Sequence, residues 1–143
     1  MIDLIPGINS TASALDAERM RMDVVSQNIA NVDTTKGLDG KPYQRQQVVF
    51  ESVLQMQQAN EAGGAVPQSV QIARIVKDNK EPRMVYNPTH PDANSKGMVA
   101  MPDINIHEEM VDMITSTRAF EANLAVVKNA RTMAMQALSI GKH

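Results

Sequence analysis

The segment DINIHEEMVDMITSTRAFEANLAVVKNARTMAMQALSI, residues 103–140, decides the fold of this chain, because it contains neither glycine nor proline. One line of residues spaced by seven is apolar throughout, and a companion line is partly polar. The first comprises Ile106, Met113, Phe120, Val127 and Ala134, and the second comprises Met110, Thr117, Leu124, Arg131 and Leu138. This spacing predicts a helix about 50 Å long with a coiled-coil-like seam.

A second segment without glycine or proline, Ile8–Lys36, lies near the other end of the chain. Its apolar residues also recur every seven positions, at Ile8, Leu15, Met22 and Ile29. The pattern predicts another helix, about 35 Å long. We expect Pro6-Gly7 to mark its start and Asn9 or Ser10 to be its N-cap.

Between these segments the chain is rich in helix breakers, since eleven of the fourteen glycines and prolines lie from Gly37 to Pro102. Residues 43–53 are read as a strand or a helical turn, and residues 70–76 as a strand. Residues 83–86 are expected to pair with 70–76 across 77–82, and residues 87–101 to form an extended loop. The prediction is a mainly α fold with a small β module: paired terminal helices (1–36 and 103–143) enclose a loop and β-hairpin region (37–102).

Composition excludes several classes of function. The 143 residues carry a net charge of −2, which argues against nucleic-acid binding. There is no cysteine, and there are only four aromatic residues, so disulfides, thiolate metal sites and aromatic cofactor pockets are not expected. No apolar run is long enough to span a membrane. We predict no cofactor and no small-molecule substrate.

Candidate catalytic and metal-binding residues are few. His107-Glu108-Glu109 begins like a helical zinc motif, but position 111 is Val, so the carboxylates are interpreted as favouring the helix dipole. His90 and Asp92 are interpreted as loop structure. We therefore predict no catalytic site and no metal site, and a hydrolase using His90, Asp92 and Glu108 is the weakest hypothesis.

Two features point to contacts beyond a simple helix pair. The amide-rich stretch from Ser26 to Asn31 either caps the following turn or supplies hydrogen bonds that fix register at a helix junction. The second helix also carries many small or apolar residues off its main seam, namely Ala119, Ala122, Ala125, Ala130, Met133, Met135 and Ala137. One partner helix cannot cover so many faces, which favours burial against other chains.

Four stretches resemble the bacterial flagellar axial proteins, the family of rod and hook subunits. DVVSQNIANVDTT (residues 23–35) resembles their N-terminal signature, and PYQR (residues 42–45) their following Tyr-x-Arg element. NIHEEMVDMI (105–114) with RAFEAN (118–123) resembles their C-terminal signature. VYNPTHPDA (85–93) looks like the loop of a proximal-rod member. The departures are small: Phe120 stands where Tyr is frequent, and Met98 where an aromatic residue is common.

The resemblance implies a structural subunit of the basal-body proximal rod, in the cell envelope. Such a subunit assembles with its own copies and with other rod proteins into a hollow, torque-transmitting shaft through which export substrates pass. Implied partners are proximal and distal rod proteins, the protein joining rod to membrane ring, and the type III export apparatus, with export needing no cleaved signal peptide. The residues expected in subunit packing are Ile8, Leu15, Met22, Asn28, Ile29, Asn31, Tyr43, Arg45, Ile106, Met113, Phe120, Asn123, Leu124, Val127 and Leu138.

The alternative hypothesis is a free-standing coiled-coil adaptor, stably folded alone, that binds a partner helix with the same apolar lines.

Overall fold

The computed structural model describes residues 5–37, 39–53 and 69–141. Its elements, in chain order, are α1 (Ile5–Ala30), β1 (Gln46–Val53), β2 (Ser69–Lys77), β3 (Arg83–Tyr86), β4 (Met98–Met101) and α2 (Ile106–Ile140). The predicted class, two long terminal helices with a small β module between them, is confirmed. Residues 1–4 and 142–143 of the predicted terminal unit lie outside the described residues.

The two helices run antiparallel. Asn28, near the end of α1, contacts Glu109, near the start of α2. Met22, earlier in α1, has its sulfur 3.5 Å from the hydroxyl oxygen of Thr117, which is later in α2. Residue numbers therefore decrease along α1 in the direction in which they increase along α2. With 35 residues against 26, α2 extends beyond the described part of α1 at its C-terminal end. Leu138 and Ile140 there are 74% and 76% exposed.

Few apolar side chains are fully buried in this fold. Among the described residues they are Ala17, Val24, Val25 and Val99. Ser116 on α2 is also fully buried, and small residues at a helix contact allow the axes to approach closely. The seven-residue lines flank this contact and are mostly half-buried. The described part of the chain thus has a small core for its length.

The helix ends differ from expectation. The structure starts α1 at Ile5, ahead of Pro6-Gly7, so the expected N-cap at Asn9 or Ser10 is wrong. Proline is tolerated in a first turn because backbone N–H groups there have no intrahelical acceptor. At the other end α1 stops at Ala30, and a turn follows in which the Thr34 N–H donates to the Asn31 carbonyl at 3.1 Å.

Strand pairing also corrects the prediction. β1 pairs antiparallel with β2, and β3 pairs antiparallel with β4, so the expected hairpin of 70–76 with 83–86 is wrong. β3 takes a partner that its own loop brings back beside it, since the Asn87 N–H donates to the Gly97 carbonyl at 2.9 Å across the ends of that loop. That partner is residues 98–101, which the sequence pattern places in a loop. Residues 43–53 resolve as a strand from Gln46, and the strand at 70–76 is confirmed.

The loop between β3 and β4 ends in a tight turn at Gly97. Its φ of +72° lies in the left-handed region, and its N–H donates to the Asn94 carbonyl at 2.9 Å. An added Cβ would lie 3.0 Å from a Tyr86 ring carbon and 3.2 Å from the Pro88 Cβ. The exposed Tyr86 ring can turn away, whereas the proline ring cannot. Glycine is therefore required here both by the positive φ and by the lack of space for a Cβ.

We expect Gly97→Ala to destabilise the chain more than Gly40→Ala. Gly40 also has a positive φ, +70°, but no atom lies within 4 Å of the position that an alanine methyl would take there. The backbone strain of about 1–2 kcal/mol is common to both variants, and steric overlap at Gly97 adds about 1 kcal/mol. Urea unfolding of the two purified variants measures the difference, and equal losses would contradict the steric argument.

In the described part of the chain, neither helix combines the length and apolar character that crossing a membrane requires.

Candidate functional site

Two of the three buried polar side chains among the described residues, those of Asn28 and Glu109, lie where α1, α2 and the start of β1 meet. We refer to Asn28, Tyr43, Arg45 and Glu109 as the polar cluster. Asn28 is 1% exposed and Glu109 is fully buried. Tyr43 and Arg45 come from the segment just before β1 and are half-buried. Three parts of the chain that are distant in sequence therefore meet through polar groups.

Asn28 is the centre of the polar cluster. Its Nδ2 donates to the Gln46 carbonyl and to Glu109 Oε2, both at 2.9 Å. Its Oδ1 accepts from the Gln46 N–H at 2.9 Å and from the Tyr43 hydroxyl at 3.0 Å. Two donors and two acceptor positions are all an amide side chain has. The hydrogen-bonding capacity of Asn28 is therefore fully used.

Glu109 is held by charge as well as by hydrogen bonds. Arg45 Nε donates to Glu109 Oε1 at 2.5 Å, while Asn28 occupies the other carboxylate oxygen. The Arg45 guanidinium also lies 3.5 Å from Asp112, and Arg21 lies 3.4 Å from the same carboxylate. Two arginines thus balance two carboxylates. A buried carboxylate requires such pairing, because an unpaired buried charge is strongly unfavourable.

The phenol of Tyr43 remains a hydrogen-bond donor in this environment. Burial raises its pKa, and the negative charge of Glu109 raises it further. The hydroxyl therefore keeps its proton over the whole physiological range and can donate to Asn28 Oδ1. This contact attaches the segment before β1 to α1.

Local helical geometry brings these groups together. Arg21, Val24, Val25 and Asn28 are spaced by three or four residues, so they share one face of α1. On α2, Glu109 and Ser116 are one heptad apart and both face inward. Glu108 points elsewhere: it is exposed, and its Oε1 accepts from the side chain of the N-cap residue Asn105 at 3.1 Å.

Sequence reasoning identifies part of the polar cluster and misses the rest. Asn28, Tyr43 and Arg45 are among the expected packing residues, and the structure brings these three together. Glu109 is expected only as a favourable charge at a helix start. The sequence feature that could have identified Glu109 is its position in the helix, because it begins a line at seven-residue spacing that continues through the buried Ser116. The sequence pattern does not single out Asp112 or Arg21.

The other expected packing residues have different environments. Asn31 acts locally, donating to the Gln27 carbonyl at 2.8 Å and accepting from the Thr34 hydroxyl at 3.1 Å. Both interpretations of the amide-rich stretch are therefore correct, for different residues: Asn31 caps, and Asn28 bridges. The half-buried members are Leu15, Met22, Ile29, Met113, Phe120, Asn123, Leu124 and Val127, and the exposed ones are Ile8, Ile106 and Leu138.

The loop between β3 and β4 is attached to the turn after α1 through Asp92. Its carboxylate accepts from the Thr35 hydroxyl at 2.8 Å and forms an ion pair with Lys36. The Lys36 contact and then the Thr35 hydrogen bond lower the pKa of Asp92. His90 Nδ1 accepts from the Asp92 N–H at 3.1 Å. These contacts agree with the interpretation of His90 and Asp92 as loop structure, since each has a structural partner.

The polar cluster is a structural junction, because its donors and acceptors satisfy one another. A cleft of about 320 Å³ lies beside it, between β1 and the two helices. No group of three metal-ligating side chains occurs within residues 5–37, 39–53 and 69–141. What the arrangement does is fix three elements in one relative position.

Two family models match the chain. Residues 8–37 match the model described as flagella basal body rod protein. Residues 95–140 match the model described as flagellar basal body rod FlgEFG protein C-terminal. The matches include Asn28 on α1 and Glu109 on α2. They therefore cover both helical sides of the polar cluster.

Full-length relatives agree. The flagellar basal-body rod protein FlgC of Bacillus subtilis strain 168 is 42% identical, covering 94% of this chain and 96% of the relative. FlgC of Borreliella burgdorferi is 40% identical, covering 96% and 97% respectively. FlgC of Escherichia coli O6:H1 is 35% identical, covering 91% and 92%. These relatives are structural proteins and not enzymes, and they do not favour the free-standing adaptor. The chain belongs to the FlgC family of flagellar basal-body rod proteins and is a structural subunit of the rod.

Proposed function

We propose that the chain is a subunit of the proximal rod and that its terminal helices form the assembly unit, with a flank of α2 that α1 leaves exposed packing against neighbouring subunits. The names of the relatives support a basal-body rod subunit. The division into an assembly unit (1–36 and 103–143) and a middle module (37–102), and the assembly role of the fifteen packing residues, are part of this proposal.

The observation that carries the proposal is a second apolar stripe on α2. Residues at seven-residue spacing along it are apolar without exception, and a second set fills the space between them. We call this the outer stripe: Ala119, Val126, Met133 and Ile140, with Ala130 and Ala137. At 100° per residue the series from Ala119 to Ile140 lies about a sixth of a turn from the Glu109–Ser116 line that faces α1, and Ala130 and Ala137 continue that line towards the end of α2.

The large side chains of the outer stripe are exposed in the single chain, whereas Ala119 and Ala130 are half-buried. Val126 is 54% exposed, Met133 57% and Ile140 76%. Small residues alternating with larger ones suit close packing of another helix. An exposed apolar surface that extends over several turns of one helix is typical of an interaction site. In a rod, a neighbouring subunit would cover it.

The small core of the single chain supports the same proposal. With four apolar side chains fully buried among the described residues, the helix pair gains little from burial alone. Neighbours in the rod would supply the missing apolar contacts. Contacts from one face of a subunit to a different face of the next propagate as an open helical assembly.

Specific neighbours are also part of the proposal. We expect copies of the chain, other proximal and distal rod proteins, and the protein that joins the rod to the membrane ring. We further propose delivery through the type III export apparatus of the flagellum. The absence of cysteine from the chain is compatible with passage in an extended form.

A charge on the outer stripe tests the proposal. We expect Met133→Asp to reduce incorporation into basal bodies by about tenfold or more, because an unpaired carboxylate would be buried between helices. Thr132→Asp is the matched control, since it places the same charge one residue away on an exposed position. Quantitative immunoblotting of purified basal bodies measures both. Equal incorporation of the two variants would exclude the outer stripe as an interface.

A further inference from the structure

The outer edge of β1 is only partly satisfied. The Asp78 N–H donates to the Arg45 carbonyl at 2.7 Å, so the main-chain groups of Arg45 face β2. In antiparallel pairing every second residue turns these groups away from its partner strand. Gln46 and Val48 therefore direct their N–H and C=O to the opposite side. Asn28 takes both groups of Gln46.

Val48 has no such partner in the part of the chain that the structure describes. The sheet that contains β1 and β2 has no third strand among these residues. The side chain of Asn28 thus occupies the first pairing position beside β1, and the next position, at Val48, opens into the 320 Å³ cleft. An unpaired strand edge is a template for another extended segment.

The walls of the cleft indicate which segment fits. Arg21 and Arg45 are paired with Asp112 and Glu109, so the charges of the walls balance. The remaining wall is uncharged and comprises Val24, Val25, Val48 and Phe50, together with Gln46 and Gln47. Balanced charge disfavours an ionic ligand. Main-chain groups spaced as in a strand select an extended backbone. The absence of net charge in the walls favours uncharged side chains on it.

We propose that, in the rod, an extended and uncharged segment of a neighbouring rod subunit pairs with β1 at Val48, and that Asn28 terminates this pairing at Gln46. The inference rests on the proposed function, because it requires incorporation next to other subunits. A neighbour is the favoured occupant because assembly with other rod subunits is what a rod protein does, whereas the described part of this chain supplies no segment for the position.

A photoreactive benzoylphenylalanine at Phe50, which is 37% exposed at the cleft, tests the proposal in intact flagellated cells. Tyr86, 69% exposed on the other sheet, is the control position. After irradiation we expect Phe50 to capture a rod subunit through an uncharged peptide, identified by mass spectrometry. The inference would be overturned if position 50 cross-linked only within its own subunit, or if incorporated subunits gave no cross-link at all. If neither the benzoylphenylalanine variant nor a Phe50→Leu variant is incorporated into basal bodies, the result would instead count against the proposed function.

Backbone variants provide a second, independent readout. Val48→Pro removes the outward N–H, and an edge position tolerates proline because β2 does not use that group. We expect it to lower capture from Phe50 and incorporation by about tenfold, while Val48→Thr, which keeps the N–H and the branched shape, stays near wild type. Circular dichroism of both purified variants checks the fold. Wild-type capture from Phe50 in a folded Val48→Pro subunit would overturn the proposal.

Discussion

Glu109→Gln is expected to lower the free energy of unfolding by about 3–5 kcal/mol, because it leaves Arg45 without its closest buried counter-charge. Arg45 Nε and Glu109 Oε1 are 2.5 Å apart, and the carboxylate is fully buried. Domains of this size are typically stable by about 5–15 kcal/mol, so the loss is a large fraction of the total. Urea unfolding of the purified chain measures it, and basal bodies should contain correspondingly little of the variant.

Glu108→Gln is the matched control for this prediction. It makes the same chemical change one residue earlier, at an exposed side chain whose carboxylate accepts a hydrogen bond from Asn105. We expect its effect to stay within about 0.5 kcal/mol. The double variant Arg45→Met, Glu109→Leu should recover much of the loss, because an apolar pair replaces the ion pair without leaving a charge behind. Equal effects of Glu109→Gln and Glu108→Gln would show that the buried ion pair is not important for stability.

Asn28→Asp is expected to cost about 3 kcal/mol or more at neutral pH, although the side chain keeps its shape. The change removes the donor to the Gln46 carbonyl and places a second carboxylate 2.9 Å from Glu109 Oε2. The new carboxyl group would have a raised pKa in the folded state. Its proton therefore stabilises the fold below the unfolded pKa, and this stabilisation is lost as pH rises through the folded pKa.

The variant should accordingly approach wild-type stability in acid and fall behind it towards neutral pH. Unfolding curves at several pH values between about 4 and 7 give this dependence. Asn31→Asp is the control, because the hydrogen bonds of the Asn31 side chain are local to the end of α1. We expect it to cost about 1 kcal/mol with little dependence on pH. A pH-independent loss for Asn28→Asp would mean that its carboxylate does not face Glu109.

Periodicity in the sequence predicts what depends on local spacing. Apolar residues every seven positions identify both helices, and the contact between Met22 and Thr117 joins two of the predicted lines. Strand pairing is predicted less well, because it depends on which separate segments the folded chain brings side by side. β4 pairs with β3 across the loop of residues 87–97, and its four residues alone could not be distinguished from that loop.

The polar cluster could be recognised only in part for the same reason. Glu109 is 81 residues from Asn28 and 64 residues from Arg45 in sequence. The residues next to Glu109 do not distinguish a carboxylate that favours a helix dipole from one that is buried, and only its seven-residue spacing from Ser116 does. Tyr43 and Arg45 lie in a short segment without periodicity, and only a resemblance to known proteins singles them out.

The hydrogen bonds around Asn28 have a mechanical consequence for a protein that works in a rotating shaft. Apolar contacts are non-directional, so two surfaces joined by them can slide while keeping most of their attraction. Hydrogen bonds weaken steeply once their distance and angle depart from the optimum. The four bonds of Asn28 at 2.9–3.0 Å therefore oppose gradual slip between the helices and the sheet. We expect such a joint to hold its position up to the load at which its hydrogen bonds break.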